Sequence, residues 1–156
     1  MKVTLSMQPS HAIGDLNFAP ARLGQDRLAT AYPWQPLIEQ GITLVAGSDA
    51  PVEVGAPRIE FYAAITRKRL DGSSGQGWHP EFAVSREDAL KMFTIWPAYS
   101  AFQAKSRGSI EVGKRADLSV FNTDFMTADP AEILEADTVM TMVDGMITYA
   151  QSSAPK

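Results

Sequence analysis

The sequence predicts an α/β part followed by a small, mostly β part, and three patterns support this prediction. Apolar residues alternate at positions 3–7, which predicts a strand. A nearly continuous apolar run at 42–46 predicts a second strand, of the kind buried on both faces of a parallel sheet. After Gly108 the alternation returns around turn residues, which indicates antiparallel β structure. The 156 residues suffice for one or two domains with a hydrophobic core.

Helices are expected to connect and follow the two strands. The first strand is followed by a loop rich in Gly, Asp, Asn and Pro that runs to about residue 22. A helix is expected at 34–40, where Gly41 is placed as its C-terminal cap. Another is expected at 58–69, because its apolar residues fall at three- and four-residue spacing.

Two further helices are expected before the β part. Ser85 followed three residues later by Asp88 resembles a capping box, which opens a helix with an apolar face. Pro97 starts or kinks the next helix, which runs to about residue 105. We place a boundary near Arg107, so that residues 1–107 and 108–156 form two units.

The second unit combines strands with one short helix. Apolar residues alternate over 110–120 around a turn at 113–115, which predicts an antiparallel pair. Asp129 is a predicted N-cap, with proline at the next position and a glutamate to complete a capping box. Residues 139–149 predict a hairpin whose turn is Asp-Gly at 144–145.

Composition excludes several classes of function. The chain contains no cysteine, which excludes disulfides and thiolate zinc sites and favours the cytoplasm. A net charge of −4 argues against nucleic-acid binding, because phosphate contacts need clustered Lys and Arg. No apolar run approaches the roughly 20 residues that span a bilayer, so we expect neither a membrane nor a nucleic-acid partner.

Asp49 is the leading candidate for catalysis. It follows the predicted buried strand at 42–46, and α/β barrels gather their catalytic groups at the carboxyl ends of their strands. A carboxylate in this position can bind a divalent metal, accept a proton from water and transfer it to a leaving group. The alternative is that Asp49 only caps the following turn.

His11 and Glu53 are secondary candidates. His11 follows the end of the first strand and could donate to a substrate, relay a proton or bind a metal, or it could be a loop histidine without a role. Glu53 lies four residues beyond Asp49, which allows a paired-carboxylate mechanism or a solvated loop carboxylate. His79 is the only other histidine and is expected to be peripheral. Two histidines without cysteine cannot form a His-rich binuclear site.

Several segments share the motifs of one enzyme family, in the family's order. They read Val-Thr-Leu-Ser-Met-Gln-Pro-Ser-His at 3–11, Gly-Ser-Asp-Ala-Pro-Val at 47–52, Tyr-Ala-Ala-Ile-Thr-Arg at 62–67 and Gly-Ser-Ile-Glu-Val-Gly-Lys-Arg-Ala-Asp-Leu at 108–118. Together they resemble the C-terminal part of the amidohydrolase superfamily. The similarity is to the family 3 group that includes N-substituted formamide deformylase-like and D-aminoacylase-related enzymes. The last segment, with Val-Asp-Gly-Met-Ile-Thr-Tyr at 143–149, resembles the small β-sandwich of such enzymes.

The resemblance implies a fold and a chemistry. Residues 1–107 would hold the last two strands and helices of a (β/α)8 TIM-like barrel, and residues 108–156 part of the β-sandwich. Asp49 would be a metal ligand and the general base, and His11 would face the substrate. The cofactor would be a divalent metal, zinc in most members, and the substrate a small molecule with an amide-type C–N bond.

The resemblance also shows which family motifs this chain lacks. Members carry a His-x-His pair after the first strand, a bridging group after the fourth and histidines after the fifth and sixth. We therefore expect this chain to be a C-terminal segment that is inactive alone and does not bind the metal stably. The alternatives are a non-catalytic module that forms homo-oligomers through exposed strand edges, and one half of a split enzyme.

Overall fold

The computed structural model describes residues 3–152, so Met1, Lys2 and residues 153–156 of the two expected units lie outside the described residues. The elements are β1 (Thr4–Met7), α1 (Pro9–Asp15), α2 (Ala19–Leu23), α3 (Gln25–Leu28), α4 (Trp34–Glu39), β2 (Thr43–Ala46), α5 (Pro57–Thr66), a 3-10 turn (Pro80–Phe82), α6 (Arg86–Phe93), α7 (Ile95–Ser100), β3 (Leu118–Phe121), α8 (Pro130–Leu134), β4 (Thr138–Val143) and β5 (Met146–Ala150).

The first two strands form a parallel pair. Thr4 lies opposite Thr43, and the register continues to Met7 opposite Ala46, so both strands end at the same edge. The Gly47 amide donates to the Met7 carbonyl at 3.1 Å, one residue beyond the pair. Both predicted strands and their parallel direction are confirmed. The predicted burial of the second strand on both faces holds only for Leu44, and the other residues of the two strands are partly or fully accessible to solvent.

The expected loop after the first strand, to about residue 22, is wrong, because this segment forms α1 and most of α2. Pro9 occupies the first turn of α1, where its fixed φ suits a helix and its missing N–H costs nothing. Helices this short are marginal alone. Tertiary packing therefore decides this segment, and α1 packs against α5 through buried residues including Ala12.

One hydrophobic core joins the elements before and after position 107. Its buried members include Trp34, Leu44, Phe61, Met92 and Ile133. Ile133 belongs to α8, and the Arg58 guanidinium of α5 donates to the Leu134 carbonyl at 2.8 Å, which adds a polar contact across the same junction. The division into two units stays a prediction.

Helices form at the predicted places in the first unit, but α5 ends at Thr66 instead of 69, and α7 begins at Ile95, before Pro97, and ends at Ser100 instead of near 105. Gly41, which follows the C-cap residue Gln40 of α4, has φ of +79°, as expected of a residue that ends a helix. Ser85 caps α6 by accepting a hydrogen bond from the Asp88 amide. The helix α5 ends at Thr66 because Arg67 adopts a left-handed conformation, with φ of +54°. None of the helices in the described chain is long and apolar enough to cross a membrane.

The second unit contains an antiparallel sheet in the order β3-β4-β5. The predicted hairpin is confirmed, with positive φ at Asp144 and Gly145 as its two-residue turn requires. The capping box at Asp129 is confirmed as well. The strand expected at 110–112 is wrong. Ile110 and Val112 are fully or almost fully exposed, so their alternation meets no surface that would bury one face.

Candidate functional site

Asp49 lies beyond the edge at which β1 and β2 end. It is exposed and adopts a left-handed conformation, with φ of +54°, which aspartate tolerates better than most residues. Its backbone carbonyl accepts from the Val52 amide at 2.8 Å, and this bond closes the turn. The Asp49 carboxylate makes no hydrogen bond to any of the residues 3–152. The turn therefore closes through the backbone, and the carboxylate remains available to a ligand or a proton.

His11 lies on α1 and faces Glu53 rather than occupying a free loop. Its Nε2 atom is 3.8 Å from Oε1 of Glu53. That nitrogen is shielded from solvent and has no hydrogen-bond partner in the described part of the chain. The paired-carboxylate alternative placed Glu53 with Asp49, whereas the contact seen here joins Glu53 to His11. The two side chains are 30% and 26% exposed, so each is partly open to solvent even though Nε2 itself is shielded.

Glu60 is a buried carboxyl group that sequence reasoning missed. It lies on α5 with only 2% of its surface exposed. Its Oε2 accepts from the Ser10 amide at 2.8 Å and its Oε1 from the Ser10 hydroxyl at 2.5 Å. Burial raises the pKa of Glu60 above its usual value, and the negative charge of Glu53 raises it further. The two hydrogen bonds from Ser10 lower this pKa but do not outweigh burial.

The signal for Glu60 is visible in retrospect. It is the single carboxyl group in the helical segment 57–66, and its direct neighbours Ile59 and Phe61 are apolar. A buried carboxyl group needs partners. The partner lies 50 residues earlier, directly before His11. Glu60 therefore anchors the turn of α1 that carries His11.

His79 has structural contacts of its own. Its Nδ1 lies 2.9 Å from Oε1 of Glu81, and its ring stacks on Phe82 with centroids 5.4 Å apart. These contacts account for the side chain without a ligand.

The site has acid–base groups but does not have a complete set of metal ligands. Within residues 3–152, no three His, Asp or Glu side chains converge in a way that could hold a metal ion. A zinc centre needs at least three protein ligands. The donor set found here therefore does not fit a metal by itself, and no reaction step through a metal follows from these residues alone.

The family is decided by comparison with known proteins. The profile described as "Amidohydrolase family" matches residues 1–149, which is nearly the whole sequence. The chain belongs to the amidohydrolase family. This confirms the resemblance carried by the motifs at 3–11, 47–52, 62–67 and 108–118.

Three relatives of this amidohydrolase-family chain illustrate the match. YtcJ of Bacillus subtilis (strain 168), named as an amidohydrolase, is 33% identical over 97% of the chain and 29% of its own length. The N-substituted formamide deformylase of Arthrobacter pascens is 30% identical over 79% of the chain and 22% of its own length. A metal-dependent hydrolase from Pyrococcus horikoshii OT3 superposes with a TM-score of 0.70 at 25% identity, over 83% of the chain and 26% of that structure. The chain thus spans less than a third of the length of these relatives.

Proposed function

We propose that this chain supplies Asp49 as general base and metal ligand, and His11 as a substrate-facing group, to a metal-dependent amidohydrolase. The reaction is hydrolysis of an amide-type C–N bond in a small molecule. Water adds to the acyl carbon, the C–N bond breaks, and the nitrogen takes a proton as the amine leaves. The observation that carries the proposal is the Asp49 carboxylate, exposed and without a partner in the described chain at the edge where two parallel strands end.

The proposed architecture extends beyond the described elements. The strands β1 and β2 are the last two strands of a (β/α)8 barrel, with residues 1–107 as the barrel portion. Residues 108–156 are part of a β-sandwich. The parallel register of β1 and β2 and the antiparallel sheet β3-β4-β5 support this arrangement.

The proposed metal is a divalent ion, with zinc as first choice. Asp49 provides one ligand, and the remaining ligands come from outside this set of residues, so that the chain alone does not hold the ion stably. When bound, such an ion lowers the pKa of a coordinated water and polarises a carbonyl group. The description of the structural neighbour as a metal-dependent hydrolase supports this assignment.

The first experiment assays the purified chain alone. With zinc added, we expect no turnover above buffer with formamides, N-acyl amino acids or simple amides. Robust turnover that is lost in Asp49→Asn would show that the chain is active by itself and would overturn this part of the proposal.

The second experiment tests Asp49 in the longest reading frame that contains this chain. An in-frame His-x-His segment upstream supports one polypeptide, whereas its absence supports a split enzyme. In that protein, Asp49→Asn is expected to lower kcat by at least about a hundredfold and to reduce metal content, because it removes a base and a ligand. Asp26→Asn, at an exposed position on α3, is the matched control. Unchanged kcat and metal content in Asp49→Asn would contradict the assignment.

A second candidate function is a module that associates with copies of itself. The observation that favours it is the set of large apolar side chains exposed on the sheet β3-β4-β5, including Val143, Met146, Ile147 and Tyr149. Exposed edges and apolar surface favour pairing between chains. Light scattering is expected to show an oligomer, and a strictly monomeric species at high concentration would contradict this candidate.

We also propose the cytoplasm as the location, on the lack of cysteine.

A further inference from the structure

A groove with apolar walls lies between α1 and α5, and Asp49 is not among the residues that line it. Its volume is about 390 Å³, within the range of small-molecule sites. The apolar walls come mainly from four side chains, Ile13 on α1, Val54, Ile59 on α5, and Leu70. An alkyl chain buried between these walls loses its contact with water, which favours binding.

The groove is connected to the candidate site through Glu53. This side chain lines the groove, and its Oε1 also lies 3.8 Å from Nε2 of His11. Ser10 lines the groove too and is held by the buried Glu60. A molecule in the groove would therefore reach the same carboxylate that faces His11.

The charges of the groove select the kind of ligand. Three charged side chains line it, Glu53, Arg69 and Asp71. The Arg69 guanidinium donates to Oδ1 of Asn17, and it is the single cation against the two carboxylates of the groove, Glu53 and Asp71. Glu53 makes no hydrogen bond within residues 3–152. The groove thus offers a free carboxylate acceptor to a ligand and carries one more negative than positive charge.

We propose that this groove binds an alkylammonium ion, with the alkyl chain between the four apolar side chains and the ammonium group donating to Glu53. The inference rests on the proposed function, because hydrolysis of an N-alkyl amide releases such an amine, which is protonated at neutral pH. The groove is then the subsite for the leaving amine of the substrate. The carboxylic product would meet two carboxylates and one guanidinium there, so the net charge of the groove disfavours it.

Gly14 provides a way to close the groove without disturbing the fold. It lines the groove on α1, and a Cβ built on it has no atom within 4 Å. A side chain at this position therefore extends into open space. Replacement of a helical glycine by leucine also improves helix propensity by up to about 1 kcal/mol. Gly14→Leu is thus expected to fold and to fill the groove.

The experiment measures binding of hexylammonium to the chain by NMR titration. We expect amide shifts at Ile13 and Val54, and affinity about tenfold higher than for butylammonium because two more methylene groups are buried. Hexanoate is expected to bind at least about tenfold more weakly than hexylammonium, because the charged side chains of the groove carry a net negative charge.

Two variants test the charge partner and the apolar walls of the proposed site separately. Glu53→Gln is expected to lower hexylammonium affinity about tenfold and to leave 1-hexanol binding unchanged, because only the charge partner is lost. Gly14→Leu is expected to abolish binding of both. Glu39→Gln, an exposed carboxylate on α4 outside the groove, is the matched control.

The outcomes distinguish this inference from the proposed function. Hexanoate binding as tight as hexylammonium binding, or undiminished binding in Gly14→Leu with its fold intact, overturns the inference. Hexylammonium binding as expected, with no hydrolase activity in the longer reading frame, contradicts the proposed function and supports the ligand class. Hydrolase activity without binding to the groove contradicts the groove assignment alone.

Discussion

Arg67 is a buried cation whose replacement should reveal how the end of α5 is stabilised. It is fully buried, and its guanidinium carbon lies 4.4 Å from the centroid of the Trp34 ring. Nε donates to the Trp78 carbonyl at 2.6 Å and Nη1 to the Tyr32 carbonyl at 3.1 Å. No carboxylate lies within ion-pair distance of it in residues 3–152. Burial lowers the pKa of Arg67 to about 10, which still leaves the guanidinium charged at neutral pH.

Arg67→Lys keeps the charge but removes the planar fork. Each hydrogen bond from a charged group contributes about 1.5–3 kcal/mol, and a desolvated cation–π contact about 2 kcal/mol. A lysine ammonium can replace one of the two hydrogen bonds but not the stacked plane. We therefore expect a loss of about 3 kcal/mol in the free energy of unfolding. For a chain of this size that corresponds to a Tm lower by about 6–12 °C.

Tryptophan fluorescence during guanidinium chloride unfolding measures this loss, because two of the three tryptophans contact Arg67. Arg22→Lys, at an exposed position on α2, is the control and should change stability by less than about 0.5 kcal/mol. Arg67→Met tests the reasoning further, since it fills similar volume without polar groups. If Arg67→Lys matches the control, or if Arg67→Met is as stable as the natural chain, the hydrogen bonds and stacking do not exceed the cost of burying the charge, and the expected net stabilisation is refuted.

Two further changes test other parts of the fold. Gly108→Ala is expected to lower the free energy of unfolding by more than about 2 kcal/mol, because φ is +92° and the new Cβ would lie 2.6 Å from Cβ of Ala98. The control Gly113→Ala, at φ of +93° in open space, should lower it by about 1 kcal/mol. Equal losses of Tm in the two variants would contradict this prediction. Glu60→Gln removes a carboxyl group whose folded pKa is raised, so the stability that Glu60 contributes is present below about pH 4.5 and is lost as pH rises through the raised pKa. The destabilisation by Glu60→Gln should therefore shrink as pH rises above 4.5 in urea unfolding measured at several pH values, and a destabilisation that grows with pH would show that the pKa is not raised.

The predictions that succeeded rest on short-range patterns. The capping box at Asp129 and the hairpin turn at Asp144 are set by hydrogen bonds and φ values within a few residues. The expected loop at 8–22 failed because the short helix α1 depends on packing against α5, which no local pattern reports. The strand expected at 110–112 failed for the converse reason, because an alternating pattern without a surface to cover does not form a strand.

In the candidate site, too, local patterns located residues but did not reveal their long-range contacts. Asp49 could be located because a buried parallel strand ending in Gly-Ser-Asp marks the carboxyl edge of a sheet. His11 could be located as a residue that follows a strand end, but its contact with Glu53 could not, since it joins helix α1 to a loop 42 positions later in the chain. The buried carboxyl of Glu60 depends on a partner 50 residues away.

The sequence by itself determined the two parallel strands, the helix caps, the hairpin, the family and the place of Asp49. These follow from residue types and from spacings that local hydrogen bonds and burial impose. Only the tertiary structure decided which polar groups meet: His11 with Glu53, Glu60 with Ser10, and Arg67 with its aromatic neighbours. The physical reason is that a buried charge is tolerated only where distant segments bring it partners, and those partners exist only once the chain has folded.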